Sequence, residues 1–332
     1  MAPARLRNLI TDVAGLRVGQ AEDRQVATGV TVILPDAPLV AACAVAGGGP
    51  GTRETDLLAG GTLVDAVDAI FLSGGSAFGL GAGDGIMAGL KAAGRGFSLV
   101  DRPGVPPTPI VPGAILYDLA NGGDKDWGET SPYAALGRAA FDAAGEDFTL
   151  GRAGAGYGAR AGQFPGGTGS ASHRTRDGLT VGALACVNCF GSPVMPGTGA
   201  YWAWPHEVNG EFGGARPPAD FVMDPEDWGP AKTNPAPGQN TTIACVASDV
   251  ILTPDQAKRV AQMALSGFSR AIRPVFAPFD GDAVFVLSTG RVALPDPAPL
   301  SVTRLGELAA STLARAIARG VHEARKQLGD MA

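Results

Sequence analysis

Thr241, Asn188 and the aspartate pair Asp280 and Asp282 are the residues of this chain whose types and settings could do chemistry together. Thr241 stands at a junction. The stretch 210–239 before it is rich in Pro and Gly. The stretch after it, Thr241-Thr242-Ile243-Ala244-Cys245-Val246-Ala247, is β-branched and small apolar, as in a buried strand. A loose loop feeding a rigid strand is a place where a chain can cut itself. The loop lets the Asn240–Thr241 peptide bend into reach of the Thr241 hydroxyl, and the strand then fixes the new N-terminus. An N-terminal threonine carries a nucleophile and a base on one residue, because its α-amine, with an unperturbed pKa of about 8, can take the hydroxyl proton. The spacing also suits an ordinary threonine opening a strand and, taken alone, favours that plainer reading.

The other candidates have two readings each. Asn188 ends an apolar run, 181–187, ahead of Cys189-Phe190-Gly191-Ser192-Pro193. It could cap that turn or aim its amide at a developing oxyanion, and the residues alone favour the cap. Asp280 and Asp282 flank Gly281 at the mouth of an apolar run, 283–289. They form a simple turn, or a carboxylate pair that orients an ammonium or a hydroxyl. A free Thr241 amine needs such a partner. Tyr117 is a core aromatic or a site phenol.

These residues must be positioned by strands and helices that the pattern predicts in alternation. Strands are expected over 28–35, 40–46, 66–72, 181–187 and 283–289. Helices are expected after the glycine turn Ser73-Gly74-Gly75-Ser76 up to about residue 93, over 131–144, from Thr253 onward and over 302–327. Thr253-Pro254-Asp255-Gln256 has the form of a capping box with Pro in the first turn. Arg270 and Arg273 are placed in the last turn of that helix. The glycine turn at 73–76 has no G-x-G-x-x-G and the chain has no Gly-Lys, so a nucleotide site is rejected. Close packing is the expected role there, with backbone donors facing a substrate as a second use. Gly151 to Gly158 and Pro165 to Ser172 read as loops around short strands. In Thr52-Arg53-Glu54-Thr55-Asp56 the charged trio Arg53, Glu54 and Asp56 reads as ion-paired structure ahead of a site rim.

Composition narrows the classes. The chain has 332 residues, enough for one large α/β domain or two smaller ones with a substantial core, and 49 of them are Gly, so several close backbone approaches are expected. A net charge of −6 with no basic run argues against nucleic-acid or anionic-membrane partners. No apolar stretch approaches a transmembrane span and no signal-peptide core follows the N-terminal residues; the expected location is the cytoplasm. Cys186 and Cys189 have metal-knuckle spacing, but without a second pair or a nearby His they read as structural thiols with Cys43 and Cys245. His173, His206 and His322 are isolated, and a metal site is not expected.

Five pieces in this order resemble a known family. They are Gly47-Gly48-Gly49-Pro50-Gly51-Thr52-Arg53-Glu54-Thr55-Asp56-Leu57-Leu58; Leu72-Ser73-Gly74-Gly75-Ser76-Ala77-Phe78-Gly79-Leu80; Gly151-Arg152-Ala153-Gly154-Ala155-Gly156; Asn240-Thr241-Thr242-Ile243; and Arg273-Pro274 through Pro278-Phe279-Asp280-Gly281-Asp282. Together they resemble the DmpA-type L-aminopeptidases/D-esterases, with the β-peptidyl aminopeptidases and the nylon-oligomer hydrolase NylC. The resemblance covers nearly the whole chain. It implies an α/β fold, a four-layer αββα sandwich of the DmpA/ornithine acetyltransferase type, over 1–332 as one domain. It implies a precursor that cuts itself between Asn240 and Thr241 into an α chain, 1–240, and a β chain, 241–332. Thr241 matches the family nucleophile, Asn188 the oxyanion asparagine, Asp280 and Asp282 the pair supporting the nucleophile's amine and hydroxyl, and Tyr117 a tyrosine lining the site. Where the nylon hydrolase has a site lysine, this chain has Gln163. A Thr with two Asp looks like the nylon hydrolase, whereas Thr52-Arg53-Glu54-Thr55-Asp56 looks like the broader peptidase family. The implied activity is hydrolysis of amides of small amine-bearing substrates, peptides or ω-amino-acid amides such as 6-aminohexanoate oligomers, through an acyl-enzyme on Thr241. No metal or organic cofactor is needed. The implied assembly is a homo-oligomer of αβ units, often a tetramer. Acyl transfer to an amine, as in the ornithine acetyltransferases, and an unprocessed non-enzymatic binding protein are the alternatives.

Overall fold

The computed structural model describes residues 6–100, 102–233 and 240–329. Its strands in chain order are β1 (Leu16–Asp23), β2 (Thr28–Pro35), β3 (Leu39–Val45), β4 (Thr52–Arg53), β5 (Ala66–Val67), β6 (Ile70–Ser73) and β7 (Gly113–Ile115). They continue with β8 (Arg160–Ala161), β9 (Phe164–Pro165), β10 (Gly167–Arg174), β11 (Thr180–Asn188), β12 (Thr241–Val250) and β13 (Ala283–Val292). The helices are α1 (Ala82–Ala92), α2 (Tyr133–Asp142), α3 (Pro254–Ala271) and α4 (Ala298–Gln327). A five-stranded sheet runs β1-β2-β6-β7-β4 and a six-stranded sheet runs β10-β11-β12-β13-β3-β5, with β8-β9 as a separate pair.

Alternation along the strands builds the layers. Odd positions of β12 face one way: Ile243, Cys245 and Ala247 meet Cys186, Phe285, Ile33, Ile70 and Leu72 between the two sheets. The even ones, Ala244 and Val246, face Val260 and Phe268 of α3 and Leu313 and Ile317 of α4. On the far side of the five-stranded sheet, Val30, Val32 and Phe71 pack against Ile86 and Leu90 of α1 and Tyr133 and Ala140 of α2. Every residue of β12 is buried, as expected for a strand covered on both faces. The result is an αββα sandwich. No helix among the described residues is long and apolar enough to cross a membrane.

Chain order matters for the site. β12 and β13 are parallel and joined through α3, as a parallel pair requires a crossover. They lie between β11 and β3. The segment from Thr241 onward therefore supplies two central strands of a sheet whose flanks come from the segment before it. At α3 the predicted box is present: Thr253 Oγ1 accepts from Gln256 N at 3.3 Å and Thr253 N donates to Gln256 Oε1 at 3.0 Å.

Some expectations fail in instructive ways. The single strand expected over 66–72 is two strands in different sheets, β5 beside β3 and β6 beside β2. The chain crosses between layers there, where the Asp68 carboxylate accepts from Ile110 N at 3.0 Å. The stretch from Pro165 to Ser172, expected as a loop around a short strand, is mostly the eight-residue strand β10, which runs on to Arg174. Its glycines are there for helix approach: a Cβ on Gly169 would lie 1.9 Å from the Ala316 carbonyl of α4. β1 had no counterpart in the sequence reading. α3 ends at Ala271, so Arg273 lies beyond it, while Arg270 in the last turn pairs with Glu307 at 2.7 Å. The loop expected over 210–239 is irregular as far as residue 233, apart from turns, and 234–239 lie outside the described residues.

The glycine turn after β6 uses its N–H groups internally. Gly74 N donates to Gly29 O, Ser76 N to Leu116 O, and Gly75 N to Asp118 Oδ1. Gly75 takes φ 85° beneath the Tyr133 ring, where a Cβ would come within 2.0 Å. This is packing, and these donors do not face a substrate. Of the charged trio, Arg53 pairs with Asp84 at 2.7 Å and Glu54 Oε2 accepts from Val111 N at 3.1 Å, while Asp56 has no ion pair among the described residues. Cys186 faces the space between the sheets and Cys189 the α3/α4 side, so the two thiols point into different cores.

Candidate active site

The site forms at the N-terminal end of β12, where three segments converge. Thr241 is the first residue of the strand and is 3% exposed, and Asn240 before it is completely buried. The antiparallel register places Asn188, last residue of β11, opposite Thr241. On the other side the turn ahead of β13 brings Asp280 alongside Asn240 in a parallel bridge. All four candidates from the sequence, together with Asn240, are thus within one cluster.

The peptide joining Asn240 to Thr241 is held from two directions. Its carbonyl oxygen accepts from Gly281 N at 3.0 Å. The Thr241 hydroxyl is in close contact with the same oxygen. Thr242 N donates to Asp282 Oδ1 at 2.6 Å, and Phe276 N donates to Asp282 Oδ2 at 3.2 Å. Asp280 Oδ2 accepts from Ala277 N at 3.2 Å, while Asp280 Oδ1 is buried and unpartnered among the described residues. Asn240 Nδ2 and Thr242 Oγ1, on either side of Thr241, are buried and unpartnered in the same sense. Asn240, Thr242 and Asp280 thus each keep a buried polar atom unmatched among the described residues, whereas buried polar groups are nearly always bonded.

Electrostatics follow from burial. Desolvation, then the charge of Asp280, pushes the Asp282 carboxyl up to about 8, against its two N–H bonds. Desolvation raises Asp280 as well, opposed by backbone N–H groups and by Lys232. Two carboxylates this close do not both ionise readily, so in the intact chain the pair is poised to share a proton. A cation arriving beside them would release it.

The Gly47-Gly48-Gly49 run explains itself here. Gly49 N donates to Asp280 O at 2.7 Å and Gly47 N to Asp282 O at 3.2 Å. A Cβ on Gly47 would sit 2.4 Å from Asp280 O and from Asp282 N. The glycines let one backbone lie flat against the turn that carries both aspartates.

Asn188 is fixed through its whole amide. Nδ2 donates to Tyr117 O at 2.9 Å; Oδ1 accepts from Arg160 N at 2.9 Å and from Asn121 Nδ2 at 3.2 Å. Tyr117 is brought to the site through this carbonyl and is half-buried. Gln163 serves the segment before the junction: its Nε2 donates to Ala231 O at 3.1 Å and its N to Pro230 O at 2.8 Å.

That segment carries the residue the sequence reading missed. Lys232 Nζ donates to Asn240 Oδ1 at 2.8 Å and to Asn188 O at 3.1 Å. Burial lowers its ammonium to about 8. No local pattern marks a lone lysine in a Pro/Gly-rich loop, and only the fold returns it to the junction. Beside the site, a cleft of about 330 Å³ is lined by Trp202, Asp224, Asp227, Trp228 and Arg273–Val275, among others. Its wall leads into Phe276, whose N–H holds Asp282.

Comparison with known proteins gives this geometry a context. The model of Peptidase family S58 matches residues 8–331. A Mycobacterium tuberculosis protein named as an uncharacterized aminopeptidase is 43% identical over 97% of this chain and 96% of its own length. A 6-aminohexanoate-oligomer endohydrolase of Kocuria sp. is 30% identical over 86% of this chain and 76% of its own. Among solved structures, a Burkholderia sp. beta-aminopeptidase superposes with TM-score 0.67 at 24% identity, covering 94% of this chain and 86% of that one. The L-aminopeptidase D-Ala-esterase/amidase of Ochrobactrum anthropi, described as a variant of the Ntn hydrolase fold, does so with TM-score 0.65 at 20% identity over 98% and 95%. The last two establish the fold, and a non-enzymatic binding role is set aside by the first three. This chain belongs to peptidase family S58 and is a hydrolase of amide bonds.

Proposed function

We propose that the protein is a self-processing amidohydrolase whose nucleophile is Thr241, released by cleavage of its own Asn240–Thr241 bond. The observation that carries this reading is the Thr241 hydroxyl lying against the Asn240 carbonyl while Gly281 N–H holds that oxygen, with Asp280, bridged to Asn240, keeping its Oδ1 unpartnered among the described residues. Thr241 Oγ attacks the Asn240 carbonyl carbon, the C–N bond breaks, and the hydroxyl proton passes to the departing nitrogen. Water then hydrolyses the ester, leaving an Asn240 carboxylate and a free Thr241 amine. That amine is the cation the carboxylate pair is poised to receive.

Turnover repeats the step on an outside amide. The Thr241 amine takes the hydroxyl proton, Oγ attacks the substrate carbonyl, and the substrate amine leaves with the proton. Gly281 N–H and the Asn188 amide are the proposed oxyanion donors, each a group whose loss costs about 3–4 kcal/mol of barrier in comparable sites. Water releases the acyl group. No step calls on a metal or organic cofactor. The substrates proposed are small amine-bearing amides: peptides with a free N-terminus, or 6-aminohexanoate oligomers. Peptides are put first in this reading, on the higher identity to the mycobacterial aminopeptidases. A homo-oligomer of αβ units, tetrameric as in much of the family, and a cytoplasmic location are proposed with it.

Intact mass spectrometry of the denatured wild type beside Thr241→Ala tests the reading. Two wild-type fragments, the smaller starting at Thr241, with an uncut variant, are expected. A cut variant would refute the nucleophile. Peptide p-nitroanilides against 6-aminohexanoate oligomers, with and without an added amine acceptor, then separate peptidase, oligomer hydrolase and acyl transfer.

A further inference from the structure

Lys232 is a half-buried lysine whose ammonium bonds to uncharged oxygens, with no carboxylate in ion-pair contact among the described residues. Its two acceptors are the side chain of the residue before the scissile bond, Asn240 Oδ1 at 2.8 Å, and the main chain of the residue opposite the one after it, Asn188 O at 3.1 Å. A buried ammonium is costly unless its bonds do something for the structure. Here it ties the two sides of the junction together. Lys232 is also anchored on its N-terminal side. Its N–H donates to Phe190 O at 2.9 Å, and Gln163 clamps Pro230 and Ala231 just before it.

We propose that Lys232 is a positioning residue for self-cleavage. By holding the Asn240 side chain it fixes the rotation of the Asn240 residue about its backbone, and so the face that the Asn240 carbonyl presents to Thr241 Oγ. The same amine bonded to Asn188 O locks that orientation to β11, the strand that carries the proposed oxyanion asparagine. Gly281 holds the carbonyl oxygen and Lys232 the side chain, so the acyl half of the scissile bond is fixed at two points, as a near-attack geometry needs. The reaction's atoms are those given above; Lys232 neither gives nor takes a proton in the balance. The inference rests on the self-cleavage reading.

The experiment follows processing from synthesis in cell-free translation of the full chain, by gel and intact mass. It uses wild type, Lys232→Met, Lys232→Arg, Asn240→Ala, the Lys232→Met/Asn240→Ala double variant and Thr241→Ala. The expected result is a slowing of about tenfold or more for Lys232→Met, about 1.4 kcal/mol or more of barrier. Asn240→Ala should slow processing to a similar degree, and the double variant should be no slower than the slower single one, because both remove the same bond. Lys232→Arg, which keeps a charged donor, should recover part of the rate. A merely structural lysine gives neither the non-additivity nor the recovery. Wild-type rates in Lys232→Met, or single effects that multiply in the double variant, overturn the proposal. If Lys232→Met does not fold, Asn240→Ala decides alone, with Lys232 intact: a wild-type rate there overturns it. Cleavage of Thr241→Ala would instead defeat the self-cleavage reading itself.

Discussion

Gly281→Ala is the substitution in which the site's geometry makes its most exposed claim. Gly281 does not have a left-handed φ, so alanine brings no backbone strain of its own. The added Cβ would lie 2.7 Å from Thr241 Oγ1, 2.8 Å from Gly49 O and 3.3 Å from Thr241 Cγ2. Ordinary contact distances are about 3.5 Å, so relief needs a relative displacement of roughly 0.7 Å, shared between the nucleophile and the turn. The Gly49 carbonyl is itself backbone in a packed glycine run, so much of the shift falls on Thr241. A misplacement near 1 Å costs on the order of 100-fold in rate, about 2.7 kcal/mol of barrier. The fold should lose no more than the 1–3 kcal/mol or so typical of local overpacking. Gly281→Ala should therefore fold, remain largely uncut over the time in which the wild type is processed, and hydrolyse substrate at about a hundredth of the rate once cut. Time-resolved intact mass, with a thermal melt on the same sample, reads both quantities. A folded variant processed at the wild-type rate would show that the Thr241–Gly281 contact is not part of the reacting geometry.

Two further outcomes follow from the buried polar groups. Asp282 has its folded pKa raised to about 8 from 3.8, so between those values the folded state holds a proton that the unfolded state has lost, and stability falls as pH rises through this window. Lys232, lowered to about 8 from 10.5, loses its proton first in the folded state and opposes this fall only at the top of the window. In an uncut Thr241→Ala background, the added Asp282→Asn change should flatten the decline of melting temperature from about pH 4 to pH 8 relative to its parent; parallel curves would dismiss a neutral Asp282. Asn188→Ala strands Arg160 N–H and Tyr117 O, both bonded to its amide, and should cost about 1–3 kcal/mol by denaturant titration as well as most of the turnover. Unchanged stability would mean that those groups find other partners.

The layers were legible where one strand carried its own pattern. The β-branched run after Thr241 and the apolar run before Asn188 announce β12 and β11, and their register sets Asn188 against Thr241. The capping box at Thr253 announces α3 with equal clarity. The run at 66–72 misled because a continuous apolar stretch does not say which sheet it feeds, and here it feeds both. β10 was hidden for the opposite reason. Its Gly, Ser and Ala residues look like loop until α4 is laid across them, and small size is then what the packing requires. Within the site, the aspartates and Thr241 lie next to recognisable turns and strand starts. Lys232 and Gln163 do not, since their roles depend on contacts between loops that no spacing rule connects.

The interleaving of β12 and β13 between β11 and β3 has a consequence for the protein's life after the proposed cut. An intact precursor regains its fold by a unimolecular reaction. Once the bond before Thr241 is broken, the two pieces remain stitched through ladders on both flanks, so nothing visible changes until they are denatured. From then on recovery is a second-order encounter between two polypeptides, its yield set by concentration. On the proposed processing, the protein would fold once as a single thread and thereafter not easily be remade from its parts. Its durability in service would then be governed by the rate at which that two-sided seam opens, and selection on the seam would be selection on lifetime.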